Sequence, residues 1–349
     1  MECTKHTQKN RFQYKNSYNH ENSHDHIVRC RGRHRGRRHV AAAALLILLA
    51  AVLLASCGAP SANNPAGDGT ADETQAKDDR RPNVVATIFP PYDFARQVAG
   101  GLADVTMLLP PAAESHSFEP TPRDILTIQD CDLFLYVGGE SDAWVQDVLA
   151  SMDTSGMQVV TLMDCVEPVE EEIVEGMQEE EEEADEATEE EGDGHEAELD
   201  EHVWTAPQNA VRIVQKISDA LCAADAAHAE DYAKNAAAYI GQLDTLDASF
   251  QDVVTNAKRR TIVFADRFPF RYFADAYGLS YRAAFPGCST ESEASASTVA
   301  GLIDFIRDEK IPAVFHIELS NKKLADAISE QTGAKVLQLH SCHNISKED

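Results

Sequence analysis

The chain has 349 residues, enough for about two domains of ordinary size, and its 43% hydrophobic content allows a sizeable core. The formal net charge of −29 is unevenly laid: residues 1–40 carry ten Lys/Arg and three Asp/Glu, whereas residues 167–201 carry twenty Asp/Glu and no Lys or Arg. An acidic body of this kind repels nucleic acid and anionic lipid and attracts cations, which excludes nucleic acid as a partner.

The basic start leads into residues 40–56, VAAAALLILLAAVLLAS, an uncharged and almost wholly apolar run of seventeen residues. That length barely spans a bilayer. A basic region, an apolar region and small residues at the end follow the order of a secretory signal. A retained membrane anchor is the alternative. The next signal argues for cleavage: Leu54-Ala55-Ser56-Cys57-Gly58 resembles the bacterial lipobox, which implies lipid modification of Cys57. Residues 1–28 make an unusually long approach to a signal, and an incorrectly chosen start codon would account for them. Residues 1–56 are therefore assigned as N-terminal extension and signal peptide. Residues 57–82, small and polar, are assigned as a flexible tether.

From residue 83 strands and helices alternate. Val84–Ile88 is a short apolar run, bounded by Pro90-Pro91 and followed by a helical pattern. ADVTMLLPP (103–111) reads as a second strand. TPRDILTIQDC (121–131) reads as a helix with Thr121 as N-cap, Pro122 at its first position and Asp124 in its first turn. DLFLYVGG (132–139) is a third strand, SDAWVQDVLASM (141–152) a helix and QVVTLM (158–163) a strand. The alternation predicts a parallel α/β sheet. An acidic run over 167–201 interrupts it, and then HVWTAPQNA returns abruptly to a patterned sequence.

Residues 209–225 and 231–260 are Ala-rich, amphipathic and nearly free of breakers. The second segment would be roughly 45 Å long as one helix, which suits a spacer between two lobes. The α/β rhythm then resumes with a strand at 260–268, a helix at 270–279 closed by Gly278, a helix at 297–310, a strand at 312–319, a helix at 321–333 ending on Gly333, and a strand at 334–340. The expected architecture is α/β: two parallel-sheet lobes, residues 83–226 and 261–349, joined by one long helix over 227–260. A lobe of this type should close with a further helix, so truncation at the C-terminus is expected.

Four loops follow predicted strands, the edge at which open α/β sheets bind ligands. LLPPAAESHSFEPTPRD places His116 between a Pro pair and a capped helix; DEHVWTAP places His202 beside Trp204. FADRFPFRYF offers Asp266 and Arg267, and LQLHSCHNIS offers His340 and His343 around Cys342. Each has a plain alternative: a surface histidine, a strand-end salt pair, a chance cluster. Together, two imidazoles from the first lobe with an imidazole and a carboxylate from the second make a four-coordinate N/O site between lobes. Zinc accepts that set, and manganese is plausible where oxygen is present. Cysteine does not supply a finger: the chain has eight Cys and no CxxC.

At these residues the chain resembles the zinc- and manganese-binding substrate-binding lipoproteins of ABC importers, over about residues 83–345. PPAAESHSFEPTPRD resembles the family's Pro-Gly-x-x-x-His-x-Phe-Glu-Pro-x-x-x-Asp motif, and DEHVWTAPQNA its Asp-Pro-His-Val-Trp-x-x-Pro-x-Asn-Ala. FRYFADAYGL and ELSNKKLADAISEQTGAKVL resemble its second-lobe elements. The resemblance implies His116 and His202 as metal ligands. Its third ligand place falls without a gap on Arg267, which cannot bind a cation, and with one extra residue on Asp266, which is chosen. The fourth place falls near His340, with His343 as the alternative. Ala-Ala-Glu (112–114) departs from the family's Gly-containing approach to the first histidine. Cys288 and Cys342, in second-lobe loops, are expected to pair as a disulfide beside the site; two free thiols, or a Cys342 thiolate ligand, are the other readings.

The function implied is a monomeric, lipid-anchored extracytoplasmic receptor that captures Zn²⁺, with Mn²⁺ also considered, and passes it to an ABC permease. It is not an enzyme. A metallohydrolase would need three ligands, a water and a base such as Glu114, Glu119 or Glu318, but GxSxG does not occur, the one HExxH (residues 20–24) lies ahead of the signal, and the lipobox with its tether fits a receptor better. An adhesin or structural lipoprotein with a metal staple is the third reading. The acidic run, with His195 its one histidine, is expected either to be merely solvated or to collect cations without a defined site.

Overall fold

The computed structural model describes residues 80–177, 198–289 and 293–347. The signal, Cys57, nearly all of the tether, His195 and most of the acidic run lie outside the described residues. Among the described residues no helix is long and apolar enough to cross a membrane.

The first lobe runs β1 (Asn83–Ala86), α1 (Phe89–Ala99), β2 (Asp104–Met107), α2 (Pro122–Gln129), β3 (Leu133–Tyr136), α3 (Trp144–Ala150) and β4 (Gln158–Thr161). All pairings are parallel, in the order β2-β1-β3-β4. The central strand β3, Leu-Phe-Leu-Tyr, is buried throughout, as a strand covered on both faces must be. Helix α2 starts where the sequence places it: the Thr121 hydroxyl accepts from the Asp124 amide, and the Asp124 carboxylate accepts from the Thr121 amide.

Helix α4 (Pro207–Ala224) buries Ile213, Val214, Ile217 and Leu221 in the same core as Val84, Leu133 and Leu135. Helix α5 (Ala229–Asn256) has 28 residues, about 42 Å of rise. It packs along α4 and α1 and buries Tyr232, Ala236 and Leu243. Near its far end Phe250 meets Phe273 and Tyr277 of the second lobe, with ring centroids 5.0 and 5.7 Å apart. The long spacer is thus a strut fastened to one lobe along its side and touching the other near its end.

The second lobe runs β5 (Thr261–Val263), α6 (Arg271–Tyr277), β6 (Ser280–Arg282), α7 (Ala296–Asp308), β7 (Ala313–His316), α8 (Lys323–Thr332) and β8 (Lys335–Gln338). Strand β5 pairs with β6 and β7 with β8, again parallel. A bridge between Phe264 and Phe315 joins the two pairs. The resulting order, β6-β5-β7-β8, repeats that of the first lobe. Strand β6 is absent from the sequence expectations because three residues between the Gly278 cap and a loop are too few to show alternation.

Two further contacts position the site. The acidic run leaves and re-enters through a short antiparallel ladder: Glu170 bridges Leu199, the Glu171 amide donates to the Glu198 carbonyl at 2.8 Å, and the Asp200 amide to the Val169 carbonyl at 2.9 Å. The chain after β8 crosses to the first lobe. There the Phe89 amide donates to the His343 carbonyl, the Ala112 amide to the Ile345 carbonyl, and the Asn344 amide group to the Pro110 and Ala113 carbonyls.

Ala112 stands at φ 63°, in the left-handed region. It is the alanine at the position where the resembling motif has glycine. A Cβ there costs roughly 1–2 kcal/mol. Ala112→Gly is expected to raise stability by about 0.5–1 kcal/mol once the added unfolded-state freedom of glycine is subtracted; urea unfolding midpoints of the two proteins measure it.

Candidate metal centre

Three loops deliver three histidines to one point. His116 lies between β2 and α2, His202 in the turn entering α4, and His343 after β8. Their ring centroids are 5.4 Å (His116–His202), 5.3 Å (His116–His343) and 4.8 Å (His202–His343) apart. One ligand atom from each lies within 4.8 Å of the other two. His202 and His343 are buried, His116 nearly so.

Each ring is held from behind through Nδ1. His116 Nδ1 is 2.9 Å from Ser141 Oγ, His202 Nδ1 is 2.9 Å from Asp200 Oδ1, and His343 Nδ1 is 2.5 Å from Ser341 Oγ. Ser341 Oγ donates onward to Glu318, whose carboxylate also accepts from the Ser341 and His343 amides. With Nδ1–H donating, each Nε2 presents a lone pair, and all three Nε2 atoms are buried without a hydrogen-bond partner. Oxygen partners on the far nitrogen are the arrangement that orients a metal-ligating imidazole.

Electrostatics separate the three. Burial, with His202 and Arg267 nearby, pulls His116 down to about 3. Burial and the same cationic neighbours hold His343 well below the usual range. Burial also opposes charge on His202, but Asp200, Glu201 and Glu171 outweigh it and raise its pKa. Two neutral imidazoles and one backed by carboxylate suit a divalent cation.

The structure corrects three expectations. His340 is not brought to the cluster: its side chain is 47% exposed, its Nδ1 accepts from the Cys342 amide, and it flanks Glu318 at 3.4 Å. Cys342, at φ 64°, reverses the chain so that His343, the alternative, points inward. Asp266 is also absent from the cluster, because its carboxylate is spent on backbone: Oδ1 accepts from the Arg267 amide and Oδ2 from the Ile317 amide, tying the end of β5 to the end of β7. Cys288 and Cys342 are both free. They face different carboxylates: burial and then Glu171 raise the Cys288 thiol, whereas burial and then Glu318 push Cys342 up to about 12. Cys288 instead forms a second close group with Glu171 and Glu198.

The supporting residues Ser141, Asp200 and Ser341 escaped the sequence reading. Two of them carried a signal, an oxygen-bearing side chain two residues before a histidine: Asp200 before His202 and Ser341 before His343. Ser141 had none, since only the fold brings it to His116.

With this geometry in view, the comparisons decide the lineage. Residues 84–349 match the model of ZnuA, the zinc-uptake complex component A, periplasmic. The chain belongs to the ZnuA family. It is 32% identical over 298 residues to the high-affinity zinc uptake system protein ZnuA of Bacillus subtilis, covering 85% of this chain and 87% of that protein. It is 31% identical over 275 residues to the zinc-binding lipoprotein AdcA of Streptococcus pneumoniae, covering 79% of this chain but 53% of AdcA, so it spans about half the length of that relative. The crystal structure of the Zn(II)-bound ZnuA-like domain of that AdcA superposes with a TM-score of 0.62 at 29% identity, over 77% of this chain and 91% of the domain. The family is one of extracytoplasmic solute-binding components.

Behind His116 sits a buried carboxyl. Asp142 accepts from the Val137 and Gly138 amides, yet burial pushes it up to about 7, aided by Glu201. An unfolded Asp titrates near 3.9. Between those values the folded chain binds the extra proton, so this group lowers stability as pH rises toward and through about 7. Asp142→Asn keeps an accepting oxygen and removes the charge. It should flatten the fall in urea midpoint between pH 5 and pH 8 relative to the parent.

Proposed function

We propose that the protein is an extracytoplasmic receptor that captures Zn²⁺ on His116, His202 and His343 and delivers it to the permease of an ABC importer. The observation that carries this reading is the convergence of three buried Nε2 atoms, each on a ring fixed through Nδ1. Imidazole donors suit zinc, while manganese favours carboxylate and water, so the set prefers Zn²⁺ over Mn²⁺. The zinc in the names of the AdcA and ZnuA relatives agrees. The lipobox-like Leu54–Gly58 supports anchoring through a lipid on Cys57, with the polar stretch after it as tether. The receptor works as a monomer in this reading, since all three donors come from one chain.

Binding to purified protein by calorimetry or chelator competition tests the assignment. Substituting Ala for His116, His202 or His343 should each weaken Zn²⁺ by more than the about 10- to 100-fold typical of an outer partner. His340→Ala should stay within that range. Unchanged affinity in the first three variants would refute the site. Removing residues 178–197 should leave one-to-one high-affinity binding in place; its loss would show that the acidic run supplies the ligands.

A further inference from the structure

His202 belongs to the first lobe by sequence, yet part of what touches it comes from the second. The chain after β6 is fastened to the end of β5: the Ala284 and Phe285 amides donate to the Asp266 carbonyl, and Phe285 bridges Arg267. Two residues further on, Gly287 lies against the His202 ring. A Cβ built on Gly287 would stand 3.0 Å from His202 Cε1, 3.1 Å from His202 Nδ1 and 3.0 Å from the Phe268 carbonyl oxygen. Ordinary carbon contacts fall at about 3.5–4.0 Å, so a methyl group has no room there. Gly287 is not at a positive φ. Close approach, and not backbone conformation, is what calls for glycine at this place.

The root of the acidic run holds that loop. The Cys288 amide donates to Glu171 Oε1 at 2.9 Å. Tyr272 of α6 grips the same root: its hydroxyl accepts from the Val169 amide at 3.2 Å and donates to the Asp200 carbonyl at 2.7 Å. Asp200 in turn holds His202 through its amide and its Nδ1. The second lobe therefore reaches His202 twice, by contact with the ring and through the residue that orients it.

Resting on the three-histidine reading, we propose that Gly287 and Glu171 are positioning residues for the metal centre. Glu171 seats the second-lobe loop, and Gly287, having no side chain, lets that loop set the His202 ring. With Nδ1 bonded to Asp200 and Gly287 against the Cε1–Nδ1 edge, the ring has little freedom to turn, and Nε2 keeps its place. An alanine at 287 demands a few tenths of an ångström from its neighbours. The Phe268 carbonyl is backbone, so the ring is the part that yields. A metal centre tolerates distance changes of only about 0.2 Å.

The test uses the full chain, with Zn²⁺ in chelator competition, Co²⁺ as a spectroscopic probe and urea unfolding of the metal-free protein. Gly287→Ala should lower Zn²⁺ affinity about 10- to 100-fold, the range for outer partners of a metal site, and should change the visible Co²⁺ spectrum; Gly287→Val should do both more strongly. Glu171→Ala should weaken binding within the same range. Glu171→Gln, which keeps an oxygen for the Cys288 amide, should stay near the parent. Combining Gly287→Ala with Glu171→Ala should cost less than the product of the two losses, because an unseated loop no longer presses its methyl on the ring. If Gly287→Ala lowers the urea midpoint but leaves affinity and spectrum at parental values, the glycine serves packing alone and the proposal is overturned. It is equally overturned if Glu171→Gln binds as weakly as Glu171→Ala, since the charge and not the seat would then act. Parental affinity in His202→Ala would instead defeat the three-histidine reading itself.

Discussion

Glu318 is a buried carboxylate that accepts hydrogen bonds from one short turn of chain: the Ser341 amide, the Ser341 hydroxyl and the His343 amide. Charge-assisted bonds of this kind are among the stronger ones a protein makes, and leaving the carboxylate buried without them would cost several kcal/mol. The turn is therefore not free to choose another conformation. It adopts the left-handed Cys342, turns His340 out and His343 in, and hands the Ser341 hydroxyl to His343 Nδ1. The third imidazole of the centre depends on this one carboxylate at the end of β7.

The same turn also joins the lobes. Trp204, two residues after the second histidine, donates its indole N–H to the Ser341 carbonyl at 2.8 Å, and Asn344 reaches carbonyls on the approach to the first histidine. Tyr272 adds a bond from α6 to the Asp200 carbonyl at 2.7 Å, on the very residue whose carboxylate orients His202. Each histidine loop is thus tied to the opposite lobe by contacts outside the donor atoms. With α5 packed along the first lobe and touching the second near its end, the lobes are joined by several bonds among the described residues.

Much of this was legible in the sequence. Strand-helix alternation gave the two sheets, Gly278 and Gly333 ended helices at left-handed positions, and Thr121 with Asp124 capped α2. His116 and His202 stood out because their motifs are local, a loop between a proline pair and a capped helix, and a histidine beside a buried tryptophan. The other half of the centre was harder. Asp266 looked available as a ligand because a strand-end carboxylate has the right chemistry, but sequence does not show that two backbone amides claim it. Choosing between His340 and His343 required the conformation of Cys342, which no residue preference announces: a cysteine is not an expected left-handed residue. The Cys288–Cys342 pairing failed for a similar reason, since loops that both follow strands still direct their thiols toward different carboxylates.

The ladder at the root of the acidic run has a consequence for what lies between its ends. Glu170 bridges Leu199, Glu171 bonds Glu198, and Asp200, two residues before His202, bonds Val169. A segment closed at its base feels its length only through loop-closure entropy, which rises with the logarithm of length, about 0.6 kcal/mol for each doubling. Residues can be gained, lost or exchanged for charge above that stitch while Asp200 still holds His202. The acidic run is a place where sequence can drift in length and composition at little thermodynamic cost, directly beside a centre whose geometry cannot drift at all.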